Sequence, residues 1–172
     1  EAISAVGICS QPRMLMLALI ISLNMGVTAV IARRKGADDR LGANVCLKQA
    51  ILYSTLISFL TCSLAYIYAE PLVKLAGAGP LFADMAVVYL RNICSGTFFY
   101  SICLTINAAQ RGIGNTKLAL KTNMTANLVN IIFNYLLING NFGFPRLEVR
   151  GAAIATSIGN VVAFLMAIYS IM

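Results

Sequence analysis

Asn123, Asn127, Asn130 and Asn134 recur inside the oily run NMTANLVNIIFNYLLING, residues 123–140. At about 100° per residue, this spacing puts all four amides within roughly 60° of one another on a helical face. An amide offers a carbonyl oxygen to a sodium ion or a donor, and an NH2 with two hydrogen bonds to give, but it takes up no proton at physiological pH. Such a stripe can tie helices together, at on the order of 0.6 kcal/mol per contact inside a membrane. It can also line a watery path, which four amides on one arc suit better than glue alone. Asn130 and Asn134 sit mid-run and are the stronger candidates for chemistry; Asn123 and Asn127 lie nearer one end, where water satisfies them. Tyr135 stands beside the stripe. In the next run, Thr156 and Asn160 are four residues apart and must find partners in a bundle or touch water. They adjoin a ridge of Gly151, Ala155, Gly159 and Ala163 on which a neighbouring backbone can approach closely.

Elements that could position these groups follow from composition. Hydrophobic residues make up 59% of the chain and charged residues 11%, and the mean hydropathy is +0.82, well outside the balance of a soluble domain. Five apolar windows, near residues 14–32, 45–68, 85–109, 118–138 and 152–172, each match the about 20 helical residues that cross a hydrocarbon core. The period is not two, so a barrel is excluded and the expected fold is all-α, a polytopic transmembrane helix bundle in one domain over residues 1–172. Connections are short, which predicts antiparallel neighbours. Pro12 is expected near the start of the first helix, and AEPLVKLAGAGPLFADM is expected to lie partly along the interface. The chain opens on Glu1 and stops inside its fifth window, which reads as a piece of a longer protein.

The net charge of +7 is distributed unevenly. Arg33, Arg34, Lys35, Arg40 and Lys48 follow the first window, and Arg111, Lys117 and Lys121 follow the third, opposed only by Asp38 and Asp39. The other connections nearly cancel. The positive-inside rule therefore assigns loops 33–44 and 110–117 to the cytoplasm and 69–84 and 139–151 to the outside. The excess charge is a topology signal, and no nucleic-acid role is expected of a loop pinned between two spans. The five cysteines form no CxxC pair and no histidine exists, so no metal site is expected and the thiols read as small fillers. No nucleophile with a nearby base and no paired intramembrane carboxylates occur, so an enzyme is not expected. Arg91, near the outer end of its window, reads as an interfacial anchor, while Asn24, Thr28 and Asn107 read as packing.

The ordered set AAQRGIGNTK, NIIFNYLLI, NGNFGFP and GAAIAT, preceded by GVTAVIARRKGADD, AEPLVKLAG and VVYLRN, resembles the N-terminal half of multidrug and toxic compound extrusion (MATE) transporters. The resemblance covers the whole chain and implies helices two to six of a twelve-helix, two-lobe exporter. Such an exporter moves cationic or amphipathic small molecules in exchange for sodium ions or protons and needs no other cofactor. It implies a multi-pass protein of the bacterial inner membrane whose first helix and C-terminal lobe are absent here. Part of the family carries N-x-x-x-D in its fifth helix, partnered by a sixth-helix Thr; the matching positions are Asn130, Asn134 and Thr156. The carboxylate is an amide in this chain, and no Asp or Glu falls inside any of the five windows, so a proton-coupling carboxylate is expected elsewhere. The fragment does not determine which ion couples. A lipid-linked-glycan flippase of the same wider superfamily would be expected to show several cavity-facing arginines, and a non-transporting helical scaffold would need the stripe buried dry.

Overall fold

The structure is a computed structural model that describes residues 2–76, 80–140 and 147–171, with side chains from residue 14 onward apart from a few near the gaps. The described residues form only helices: α1 (Ala2–Gly36), α2 (Arg40–Ile67), α3 (Ala69–Leu75), α4 (Pro80–Gly112), α5 (Thr116–Asn139) and α6 (Glu148–Tyr169). Four carry stretches long and apolar enough to cross a membrane, Met14–Gly36, Arg40–Ile67, Ala86–Gly112 and Arg150–Tyr169. The window expected at 118–138 falls in α5, whose 24 residues reach about 36 Å at 1.5 Å each. Its length suffices, and its amides and lysines hold its hydropathy below that of the others.

Two expectations change in detail. The first helix starts at Ala2 rather than near Pro12, so the proline lies inside a helix. The interfacial segment is helical over Ala69–Leu75, burying Ala69 and Val73 and exposing Glu70 and Lys74; its Gly77–Gly79 part lies outside the described residues.

Helix α4 is the hub, touching every other helix. More than half of its spanning stretch, 56%, is buried, against 28% for α1 and for α2. That burial explains why its polar residues are small or internally bonded: Thr97 and Thr105 return their hydroxyls to Ile93 and Ser101 carbonyls. Thr28 of α1 donates to the Ala108 carbonyl of α4 at 3.1 Å, one of the packing contacts expected of that residue. On α2 the buried Ala50, Ser54, Ser58 and Ala65 keep the inward face small. Helix α5 touches only α4 and α6.

Turn chemistry sets the ends. Asp38 takes a left-handed φ of 53°, and Asp39 caps α2 by accepting from the Gly42 amide at 2.8 Å. Arg34 donates to the same carboxylate, whose pKa is held below its ordinary value by the Gly42 bond first and the Arg34 bond second. Lys35 reaches across to the Ile113 carbonyl, linking the α1–α2 and α4–α5 turns at one end of the bundle. At the other end Gly140, at φ 71°, closes α5, and the Leu147 amide returns to the Leu137 carbonyl at 2.9 Å to start α6.

Candidate functional site

Helix α5 has three faces. Ala119, Thr122, Ala126 and Leu137 are buried; Leu120, Met124, Leu128, Ile131 and Tyr135 are exposed; the asparagine stripe runs between them. The buried face meets the small-residue ridge of α6. A Cβ at Gly159 would stand 2.9 Å from the Ala126 carbonyl oxygen, and one at Gly151 would stand 2.7 Å from that of Leu137. Glycine at both positions is therefore what lets the two backbones come this close.

That closeness brings Asn130, Asn134 and Thr156 into one relay. Asn134 Nδ2 donates to Asn130 Oδ1 at 2.8 Å, Asn130 Nδ2 donates to Thr156 Oγ1 at 3.2 Å, and Thr156 Oγ1 donates to the Ala152 carbonyl at 2.9 Å. The relay has a direction. It leaves Asn134 Oδ1 buried with no hydrogen-bond partner, an acceptor able to take a cation or an N–H or O–H donor.

The relay borders a cavity of about 400 Å³ lined by Tyr100 of α4, Asn123, Ala126, Asn127 and Asn130 of α5, and Thr156, Gly159 and Asn160 of α6. No ionisable side chain other than the Tyr100 phenol lines it. Asn160 is 8% exposed, and its Nδ2 has no hydrogen-bond partner. Buried polar groups are ordinarily paired, so the unpaired Oδ1 and Nδ2 give this region unused hydrogen-bonding capacity of both kinds. Of the six expected residues, Asn127, Asn130, Thr156 and Asn160 line the cavity. Asn134 stands behind Asn130 in the relay, and Tyr135 is 57% exposed on the apolar outer face, away from the cavity. Sequence reasoning missed Tyr100, which lies in a run rich in aromatics, and gave Asn123 only a wetted role; the shared helical face was the signal for Asn123. Among the described residues no group of His, Cys, Asp or Glu could hold a metal.

Asn24 and Asn107 are buried, and each leaves its side-chain oxygen without a hydrogen-bond partner. Asn107 donates to the Cys103 sulfur at 3.4 Å, and Asn24 is 5% exposed. Arg91 does more than anchor: its guanidinium stacks over the Tyr66 ring at 5.3 Å from the centroid.

Residues 1–136 match the MatE family. A probable multidrug resistance protein, NorM of Thermotoga maritima, is 30% identical over 165 residues, covering 94% of this chain and 35% of the relative. Two solved structures of a multidrug resistance MATE family transporter align closely. The inward-facing one has a TM-score of 0.91 at 26% identity, over 99% of this chain and 38% of the other. The outward-facing one has a TM-score of 0.89 at 26% identity, over 98% and 37%. The chain thus spans about a third of the length of such relatives. The cavity-bearing bundle, the ordered motifs and these matches agree: the chain is a multi-pass integral membrane protein and belongs to the MatE family of MATE transporters.

Proposed function

We propose that the chain is part of a secondary active efflux transporter that exports cationic or amphipathic small molecules in exchange for sodium ions or protons. In this reading the cavity between α4, α5 and α6 is this lobe's share of the transport path. The observation that carries it is a polar cavity without acidic or basic side chains, inside an otherwise apolar bundle and bordered by the Asn134–Asn130–Thr156 relay. Neutral oxygens solvate a cation without trapping it, and amide N–H groups orient an amphipathic ligand's acceptors. The side-chain oxygens of Asn127, Asn130, Thr156 and Asn160 line the cavity, with the unpartnered Asn134 oxygen behind them; an amide there takes up no proton at physiological pH. Proton coupling would therefore fall to a carboxylate in the rest of the full-length chain, either the absent first helix or the second lobe. The likeness of this one bundle to both inward- and outward-facing relatives supports rocking of a rigid lobe against its partner.

No arginine lines the cavity, which favours efflux over a glycan flippase, and its open space favours a path over a dry scaffold. The basic turns support a bacterial inner-membrane orientation with loops 33–44 and 110–117 in the cytoplasm. The direct test is transport by the full-length protein in vesicles carrying Asn130→Leu. A loss of substrate flux in a protein that keeps its thermal stability fits the proposal, and flux equal to the parent's sinks it. Cysteines at Gly36 and Gly114 should resist an impermeant thiol reagent added outside, while cysteines at Lys74 and Gly140 react; the reverse pattern overturns the orientation.

A further inference from the structure

A second cavity, away from the asparagine relay, carries an inference of its own. It is a groove of about 610 Å³ between α2 and α4, whose walls include Phe59, Cys62, Tyr66, Arg91, Phe98 and Phe99. Apart from one guanidinium the walls are almost wholly apolar. Arg91 lies five residues into the span Ala86–Gly112, and its Nε is buried with no hydrogen-bond partner. The ion pairs among the described residues are Arg34–Asp39 and Arg40–Asp38, so no described carboxylate answers Arg91. Its one charge-directed contact is the face of Tyr66. Among the described residues this cation has no carboxylate partner.

The groove also has a polarity gradient along the helix axes. Tyr66 is the next-to-last residue of α2, so the Arg91–Tyr66 pair sits at one end of the bundle, the level at which Arg and Tyr meet lipid headgroups. Phe59 and Phe98 each lie seven residues deeper on their antiparallel helices, about 10 Å at 1.5 Å per residue. Phe98 and Phe99 pack edge to face at 5.5 Å, and Phe99 meets Phe164 of α6 at 5.3 Å, giving a continuous aromatic wall.

We propose that this groove holds an anionic phospholipid from the leaflet on the Arg91 side, its phosphate on the Arg91 guanidinium and one acyl chain along the Phe59–Phe98 wall. A guanidinium donates to phosphate through paired N–H groups, which gives the unpartnered Nε an acceptor. A free anion in water would leave the aromatic wall unused, and a cationic transport substrate is repelled. A zwitterionic lipid brings its own cation next to Arg91 and loses the charge advantage. The inference is independent of the transport reading.

The test uses the full-length protein in vesicles, with Phe59→Trp as the reporter and any other tryptophan replaced; residues 1–172 contain none. Lipids brominated in their acyl chains quench a tryptophan they touch. Phosphatidylglycerol should occupy the site about fivefold more tightly than phosphatidylcholine, the scale of one basic side chain at an anionic surface. Arg91→Gln should abolish that preference and Arg91→Lys retain most of it. Native mass spectrometry of bound lipid on the parent and on Arg91→Gln gives the same comparison without a tryptophan. Equal affinity for the two lipids overturns the proposal. So does a reporter that no lipid quenches, because the rest of the full-length chain then covers the groove.

Discussion

The aromatic groove and the amide cavity differ in size and, in the opposite sense, in polarity. The larger, between α2 and α4, is walled by rings and holds one charge at its mouth. The smaller, between α4, α5 and α6, has four amides, a threonine and a tyrosine in its wall and no acidic or basic group. Volume therefore does not separate the proposed transport path from the proposed lipid groove. What separates them is the kind of unmet bonding. Near the amide cavity, both an acceptor and a donor lack partners, at Asn134 and Asn160, so it can take varied polar ligands. In the groove the unmet group is a donor, Arg91 Nε, which no described carboxylate answers. Helix packing explains the contrast: α5 and α6 meet through glycines at which a Cβ would strike the facing backbone, whereas α2 meets α4 through Ala65 and Cys62 against Cys94 and leaves Phe59 and Tyr66 exposed.

The sharpest way to break this contrast is to separate α5 from α6. Gly159→Ala puts a methyl 2.9 Å from the Ala126 carbonyl oxygen and 3.3 Å from Asn130 Cβ, and rigid backbone cannot yield cheaply. A loss of about 1–3 kcal/mol is expected for overpacking of this kind, read as a lowered unfolding midpoint of the full-length protein in detergent. Gly26→Ala is the control, because nothing lies within 4 Å of its Cβ position; it should be neutral or gain up to about 1 kcal/mol through helix propensity. Equal effects at the two positions would mean that the α5–α6 seam is not tightly closed.

Next in size is the relay itself. Asn130→Leu removes the donor to Thr156 and the acceptor for Asn134. Leaving buried partners unpaired costs about 1–3 kcal/mol each in general, although membrane measurements centre near 0.6 kcal/mol. The lower figure is the better guide inside a membrane. Stability should therefore move little, while flux through the full-length transporter falls by about tenfold or more, since 1.4 kcal/mol of ligand or transition-state binding is a factor of ten. A fall in flux that merely tracks a fall in folded protein would return the stripe to the role of glue.

Asn134→Asp probes the same position more gently. It keeps the acceptor, removes the donor to Asn130 and adds a carboxyl with little water around it. A carboxyl can take up and release a proton where an amide cannot, so the variant should acquire a pH dependence of transport that the parent lacks. Identical pH profiles for the two proteins would place Asn134 outside the ion and substrate path.

Much of this arrangement was legible in the sequence, and the parts that were not have physical reasons. The stripe Asn123–Asn134 and the ridge Gly151–Ala163 are visible because helical periodicity alone decides which residues share a face. Their meeting could be expected, since a short connection makes α5 and α6 antiparallel neighbours. The direction of the relay could not, because it depends on which way each amide turns once the backbones are in contact. The role of Tyr100 and the Tyr66 partner of Arg91 were hidden for another reason: Tyr100 and Arg91 belong to α4, which is surrounded on most sides, and a pattern that buries most faces does not say which neighbour each side chain meets. Pro12 suggested a helix start, yet α1 runs through it from Ala2, because a proline interrupts one backbone bond without fixing where the apolar run must begin.

The smallest effect is expected at the α1–α2 turn, and it sharpens the contrast by supplying what the wall of the amide cavity lacks, a native carboxylate. Asp39 accepts from the Gly42 amide and from Arg34, both at 2.8 Å, and both bonds favour the carboxylate, so its pKa is lowered. A carboxyl held below its unfolded value stabilises the fold above that value, and the contribution disappears as pH falls through the lower, folded value. The turn should thus be indifferent to pH near neutrality and loosen only in acid, below the usual Asp range near about 3.9. The side chain is exposed, so solvent screens the Arg34 contact and the global unfolding midpoint should scarcely change. A local probe is needed, such as the NMR shift of the Gly42 amide followed through an acid titration. Asp39→Asn keeps an oxygen that can cap α2 but should flatten that titration, because nothing at the cap then ionises. An Asp39 midpoint at or above the ordinary value would show that the cap and the Arg34 bond do not hold the turn together in solution.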